Sequence, residues 1–527
     1  MAEITAQQVA REYAKGDDFN TRLNLYEECR RNENFYLGKQ WEGVNAPDLE
    51  KPVLNFLKRV VSYFVSMIVS DDIGFAFDPW TKDQRTEVLT KVLETEVDRV
   101  FERTKAKSLN RTVLRDAAVQ GDGAMFWRFD PEEGEIALEA LPGTKLIFGN
   151  PYIHEVQQQP YIIVVQRRQL GDVRREAETA GIDPSTIQPD SANRYSAMEE
   201  QADDLVTVLH RFWRVTREDE EGNRVRSVWR CKCTQEIMLE EPVDTLTTLY
   251  PVAWMNWERQ EGNYHGMSAI SPLVPNQVFV NKMWAMAMEQ AKKLAFPKVI
   301  YNKSLIPRWT NRVGEAIGIN GSPQDAVAEG WRAPDMSAQV LEMVQRTIDY
   351  SRDFMGASDA ALGNIRPDNT SAIVAVQKAS SAPLELQRLA FLQFVEDCTR
   401  IILDQMRAFY GERVCSYSDD DGNQVTAVVD FGLVTPEALN LRVEVGAASY
   451  WSELMQQQTM DNLMQLGILP DAITYIESIP DGYIHGKSKI INRLKEMQAQ
   501  AQAQGQMAAQ QAIAAQEGGM PGAVSAM

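Results

Sequence analysis

PNQVFVNKMWAMAMEQAKKL, Pro275 to Leu294, is the stretch on which the reading of this chain turns. Its 20 residues hold one proline, in the first helical turn, and the run stops at Phe296-Pro297. Proline is tolerated where the first N–H groups have no intrahelical acceptor, and a following X-Pro pair ends a helix. The spacing predicts one helix roughly 30 Å long. Ser337 to Phe354 reads as a second helix, and between the two lie residues 295–334, of mixed strand and short-helix character. Two long helices bracketing so short an insert suit a hairpin whose tip projects from the body. That tip buries too little surface to be stable alone and requires neighbours.

Outward from this hairpin, the N-terminal half alternates helical and strand periods. One helix is expected over Ala6 to Asn34, a buried one over about Val53 to Val69, and an amphipathic one over Thr86 to Val119. MFWRFD and EIALEAL flank the turn Pro131 to Gly134 and read as a β-hairpin; Tyr161 to Arg168 is a strand. Leu205 to Arg217 and Arg224 to Cys233 form a second hairpin, and Ile182 to Glu200 is a polar loop. After residues 356–370, a long helix is expected from Ser371 to Tyr410, kinked at Pro383 because proline removes a ladder hydrogen bond. A hairpin over Val414 to Phe431, a strand near Leu441 to Val445 and short helices over Trp451 to Met497 follow. The last thirty residues are rich in Gln, Ala, Met and Gly and read as low-complexity. The class is α+β, mainly helical.

The net charge of −20 argues against a sequence-specific DNA binder, whose affinity comes from neutralising phosphates. It is compatible with a surface that DNA slides past, because like charges do not stick. Residues 295–334 run against the trend, with Lys298, Lys303, Arg308, Arg312 and Arg332 against Glu315, Asp325 and Glu329, about +2. Such a basic segment is a candidate contact surface; the competing reading is solvated surface charge.

Enzyme chemistry finds little purchase. Gly486-Lys487-Ser488 ends like a phosphate-binding loop, but the glycine required five places earlier is Asp481. Asp419-Asp420-Asp421-Gly422 resembles a calcium loop, yet its first and twelfth ligand positions are Tyr417 and Val428. The four histidines (His154, His210, His265, His485) lack metal-ligand spacing, and Cys231-x-Cys233 has no second pair. No metal, cofactor or catalytic residue is expected. The five cysteines suit reduced thiols, and Val53 to Ser70 is too short and too charged to span a bilayer, so no membrane partner is expected.

Several segments, in order, resemble the bacteriophage portal (head-to-tail connector) family. They are FYLGKQW (Phe35 to Trp41), Pro52-Val53-Leu54-Asn55, and Gly266-Met267-Ser268 followed by Leu273 through Gln277 to Asn281. Gly363-Asn364-Ile365-Arg366-Pro367-Asp368-Asn369-Thr370-Ser371-Ala372 completes the set. The likeness in element order covers about residues 20 to 490.

That resemblance implies a twelve-fold ring of subunits with wing, stem, clip and crown. On this sequence the wing is 1–265, completed by 411–450, and the stem is 266–294 with 335–355. The clip is 295–334, the tunnel loop 356–370, the kinked helix 371–410, the crown 451–497 and the tail 498–527. The implied role is the DNA channel at one capsid vertex for packaging and ejection, in the virion and, during assembly, the host cytoplasm. Implied partners are double-stranded DNA, the large terminase, scaffolding and major capsid protein, and adaptor or tail proteins. Asn364, Arg366 and Asn369, with Lys292, Lys293, Arg346 and Arg352 on the stem, are candidates to line the channel. Those stem cations equally suit solvation or pairing between subunits. Lys298, Lys303, Arg308, Arg312 and Arg332 are candidates for docking the motor or adaptors. The alternative is a virion structural or scaffold-like protein with no channel; a nuclease-like enzyme using acidic clusters is a further rival.

Overall fold

The computed structural model describes residues 4–47, 49–69, 73–79, 84–190, 204–218, 224–295, 298–308, 316–331, 338–356, 382–418, 424–434 and 439–445, with a few positions between 473 and 497. It divides into two compact units. The first holds residues 1–415 and 426–444, and the second 416–425 and 445–527, where few residues are described.

The chain opens with α1 (Ala6–Arg22), capped by the Thr5 hydroxyl, which accepts from the Gln8 N–H at 3.3 Å, and α2 (Leu25–Leu37). The single helix expected over 6–34 is broken here: Asn24 adopts φ 56°, a left-handed turn that asparagine tolerates better than most residues. α2 stops where Gly38, at φ 89°, lets the Lys39 N–H reach the Asn34 carbonyl at 2.8 Å. α3 (Phe56–Ile68) buries Phe56, Leu57, Val60, Val61, Tyr63, Phe64 and Ile68 but exposes Lys58, Arg59 and Ser62, so it is amphipathic rather than apolar on most faces. After β1 (Ile73–Pro79), the helix expected over 86–119 is again two, α4 (Gln84–Arg103) and α5 (Ala106–Gln120), parted by Lys105 at φ 56°.

The two largest sheets stack on each other. β2 (Asp122–Asp130), β3 (Glu135–Pro142) and β9 (Val252–Asn256) make an antiparallel sheet in the order β3-β2-β9. β4 (Leu146–Phe148), β5 (Tyr161–Gln169), β6 (Leu205–Glu218), β7 (Arg224–Cys233) and β8 (Met238–Asp244) make the other, in sequence order, with α6 (Leu170–Thr179) after β5. The unbroken apolar run Ile162 to Val165 is explained by burial on both faces. Ile162 and Val164 meet Phe126, Phe212 and Trp254 between the sheets, while Ile163 and Val165 meet Val9 and Tyr13 of α1. On the far face of the three-stranded sheet lie α5 and the helix α10 (Glu385–Phe409). There the Phe129 and Phe409 rings stack at 4.5 Å, and Cys398 touches Met125. The layers are therefore helix, sheet, sheet, helix.

Beyond the paired β10 (Glu258–Arg259) and β11 (Gly266–Met267) come α7 (Val274–Ala295), β12 (Lys298–Tyr301), α8 (Pro323–Ala326), β13 (Val327–Trp331) and α9 (Ala338–Phe354). Pro383 lies in a short 3-10 turn, Ala382–Leu384, directly ahead of α10; residues 371–381, where the expected kinked helix begins, lie outside the described set. β14 (Glu412–Ser418) and β15 (Gln424–Asp430) match the expected hairpin, and β16 (Leu439–Val445) pairs with the distant β1, a partner no local pattern announces. The segment 451–497 and the tail 498–527 fall almost wholly outside the described residues.

Candidate functional site

The helices α7 and α9 pack against each other as an antiparallel hairpin. Asn276, in the first turn of α7, donates to the Ser351 hydroxyl, in the last turn of α9, at 3.0 Å. At the opposite end the chain continues into β12 and β13, which pair from Lys298↔Trp331 to Tyr301↔Val327 with a bulge at Ile300/Tyr301. At 1.5 Å per residue the 22 residues of α7 extend about 33 Å, so the ribbon at the tip stands well away from the root.

The root is where widely separated motifs meet. Gln277 is fully buried; its amide donates to the Leu54 carbonyl at 2.8 Å and to Asn281 Oδ1 at 3.0 Å, and its oxygen accepts from the Phe56 N–H at 3.2 Å. Asn281, one turn on, donates to Gln40 Oε1 at 2.6 Å. Gln40 donates to the Phe35 carbonyl at 2.9 Å, and Trp41 Nε1 donates to the Pro52 carbonyl at 2.8 Å. Asn55 caps α3 through the Lys58 N–H at 3.1 Å and donates to the carbonyls of Phe35 and Tyr36. FYLGKQW, Pro52 to Asn55, and Gln277 to Asn281 are thus parts of one buried polar lock. Buried amides so fully partnered fix register, since each broken bond leaves a desolvated group behind.

A second lock holds the chain just before α7. Gly121 (φ 103°) and Gly266 touch so closely that a Cβ on Gly121 would stand 2.3 Å from the Gly266 carbonyl oxygen. Asp122 is buried and accepts from the Gly266 N–H at 2.6 Å and from Asn256 at 2.8 Å; it faces His265 Nδ1 at 2.6 Å. The other ring nitrogen of His265 faces Asn20 Oδ1 at 3.0 Å. Both imidazole nitrogens are therefore occupied, and this Asp–His pair serves as a strut. No sequence signal pointed to it: the partners lie 134 to 245 residues apart.

The cations of α7 and α9 named as channel candidates are held by acids of the same chain. Lys292 bonds Glu50 at 2.5 Å, a contact that draws the exposed Glu50 carboxyl below its ordinary range and raises the Lys292 ammonium. Lys293 faces Glu289 at 3.7 Å, Arg346 faces Glu342 at 2.7 Å and Arg352 lies 3.9 Å from Asp349. Lys303 and Arg308 are exposed on the tip, and Lys298 lies on β12; Arg312 and Arg332 lie outside the described residues, as do Asn364, Arg366 and Asn369. Gly356 (φ 73°) and Pro383 flank the segment 357–381 and touch, with the proline ring 3.0 Å from where a Gly356 Cβ would lie.

Apolar side chains stand open along the hairpin. Phe354 is 86% exposed and Met286 59%, and Trp284, Met288, Leu341, Met343 and Tyr350 are also exposed. Trp284, Met286 and Met288 of α7 are not buried between α7 and α9, whereas Met283 is half-buried.

Burial pushes the thiols of Cys231 and Cys233 up to about 11 and about 12, which keeps them protonated at neutral pH. Among the described residues no group of three or more His, Cys, Asp or Glu side chains is placed to hold a metal ion. Among them also, no helix is long and apolar enough to cross a membrane.

A comparison with curated proteins returns no match. The model of one protein family, described as Phage P22-like portal protein, matches residues 172–525, which span β6 to β16, α7 and α9, the ribbon between them and α10. Two thirds of the sequence falls within that match, and the chain belongs to the phage P22-like portal protein family.

Proposed function

We propose that the chain is the subunit of a twelve-fold ring forming the DNA channel at one capsid vertex, through which the genome is packaged and ejected. The observation that carries the reading is the α7–α9 hairpin: about 33 Å long, locked at its root, and apolar on faces its own chain leaves open. Exposed Phe354, Met286 and Tyr350 are costly in a monomer and favourable once a neighbouring hairpin covers them. A hairpin repeated side by side around an axis satisfies every copy with the same contact, the closure that a head-to-tail interface needs.

In this reading residues 266–294 and 335–355 are the stem, 295–334 the clip and 1–265 with 411–450 the wing. The clip docks the large terminase during packaging and adaptor or tail proteins afterwards; scaffolding and major capsid protein place the ring in the shell. The protein resides in the virion at the portal vertex, and in the host cytoplasm during assembly. It performs no bond chemistry, and DNA passes without sequence readout past a predominantly acidic surface, at net charge −20. The same-chain acids that hold Lys292, Lys293, Arg346 and Arg352 weaken their claim to grip phosphate. Electron microscopy of the purified protein tests the proposal: rings with a central hole of duplex width are expected, and a closed particle without a passage refutes it.

A further inference from the structure

β9 is the outer strand of its sheet. In its pairing with β2, the Trp257 N–H donates to the Gly121 carbonyl at 2.9 Å and the Trp127 N–H to the Pro251 carbonyl at 2.8 Å. Antiparallel alternation then turns the main-chain groups of Ala253 and Met255 toward β2 and those of Val252, Trp254 and Asn256 outward. At Tyr250 the Gln157 amide closes this edge, accepting from the N–H at 2.9 Å and donating to the carbonyl at 3.1 Å. From Val252 to Asn256 no described residue takes the outward groups.

A cleft of about 880 Å³ runs along that edge, walled by α10 and by residues 154–157. Trp254, only 9% exposed, is among its lining residues and has a buried indole N–H without a partner, and the Gln387 amide oxygen is likewise unmatched. The charges lining it are unbalanced. Arg259 is taken by Glu155 at 3.1 Å and Arg400 by Glu396 at 2.7 Å, leaving Asp397 with Gln393 at 3.1 Å and Glu258 with no cation among the described residues. Burial pushes the Asp397 carboxyl up to about 6, with Glu155 and Glu396 adding to the rise and Gln393 and Arg400 opposing it.

We propose that the open edge of β9 takes an extended segment of a partner protein as a fourth strand, with a basic side chain toward Asp397 and apolar side chains toward Trp254. The alternation follows from the sheet. Met125, opposite Ala253, touches Cys398 of α10, so Ala253 and Met255 share the α10 side, whereas Trp254 sits in the core between the sheets. An added strand alternates in the same way, its main chain supplying affinity and its alternate side chains specificity. The three outward residues span about 14 Å, room for a strand of about five residues.

The test titrates the full chain with fluorescein-labelled acetyl-Leu-Arg-Leu-Arg-Leu-Arg-Leu-amide, read by anisotropy. Comparators are the same peptide with Glu for Arg, and one N-methylated at every residue, which has no main-chain N–H left to donate to an edge. The basic peptide is expected to bind, with both comparators and the variants Ala390→Trp, which fills the cleft from α10, and Asp397→Asn at least about tenfold weaker. Circular dichroism and melting of both variants should match the parent. No binding by the basic peptide, or equal binding by the N-methylated one or by Ala390→Trp, overturns the proposal. Binding to the monomer that vanishes in assembled rings means that a second copy fills the cleft, and the partner-protein assignment falls.

Discussion

Replacing Gln277 with Met cuts the lock at the hairpin root without opening a cavity, because the two side chains have similar length and volume. Three hydrogen bonds are lost: to the Leu54 carbonyl at 2.8 Å, to Asn281 at 3.0 Å and from the Phe56 N–H at 3.2 Å. Some relief exists. The Phe56 N–H also reaches the Leu54 carbonyl at 2.8 Å, and Asn281 Oδ1 keeps the Leu54 N–H at 3.3 Å. At about 1 kcal/mol per bond, plus about 1–3 kcal/mol for a buried group left without a partner and less these partial rescues, the loss should be about 2–4 kcal/mol. Hydrogen exchange read by mass spectrometry reports it locally. Amides of residues 54–58 should exchange roughly 30- to 700-fold faster in Gln277→Met, since about 1.4 kcal/mol is a factor of ten. Peptides from β6 and β7, in the other sheet, should not change. An acceleration under threefold at 54–58, or an equal one in β6 and β7, refutes the claim that Gln277 carries the lock.

Gly121→Ala should lower the melting temperature sharply or abolish soluble expression, because the new Cβ meets the Gly266 oxygen at 2.3 Å in a left-handed conformation that itself costs about 1–2 kcal/mol. Met286→Glu with Phe354→Glu should leave the circular dichroism of the monomer unchanged while shifting sedimentation from ring to monomer; rings persisting in the double variant would deny the stem its role in assembly. Charge reversal at Arg308 and Arg312 should weaken motor binding and packaging, and unchanged packaging would remove the docking role of the tip. His210 is buried among Lys232, Arg230, Arg168 and Arg128, and burial first, then those cations, holds its imidazole well below the ordinary range. It folds neutral, so its contribution is present above the unfolded value near 6.5 and is lost as the pH falls below it. His210→Gln should flatten the stability profile on the acid side of that value, measured by denaturant unfolding at stepped pH.

The hairpin was legible because its information is local. Pro275 opens α7, Phe296-Pro297 closes it, and the strand and turn residues between the two helices differ from both in period. The same holds for β2–β3 and β6–β7, whose turns lie between runs of strand-forming residues. Local signals failed where one residue in a left-handed conformation interrupted a helical pattern, at Asn24 and Lys105, because the periodicity continues across the break. Downstream of Pro383 the expected helix is present, beginning at Glu385, and its expected start at Ser371 lies outside the described residues.

What the sequence alone determined about this protein is its α+β class, the paired long helices and the ribbon at their tip, together with motifs enough to suggest the family. It also determined that an acidic chain with so few histidines and no matching cysteine pairs is poor material for a metal site. Only the tertiary structure decided that Gln40, Leu54, Asn55, Gln277 and Asn281 form one lock, that Asp122 and His265 brace the chain ahead of α7, and that β9 keeps an open edge along a cleft. The physical reason is distance along the chain. Periodicity reports which face of an element is buried, but which buried amide finds which partner 200 or more residues away is settled by packing.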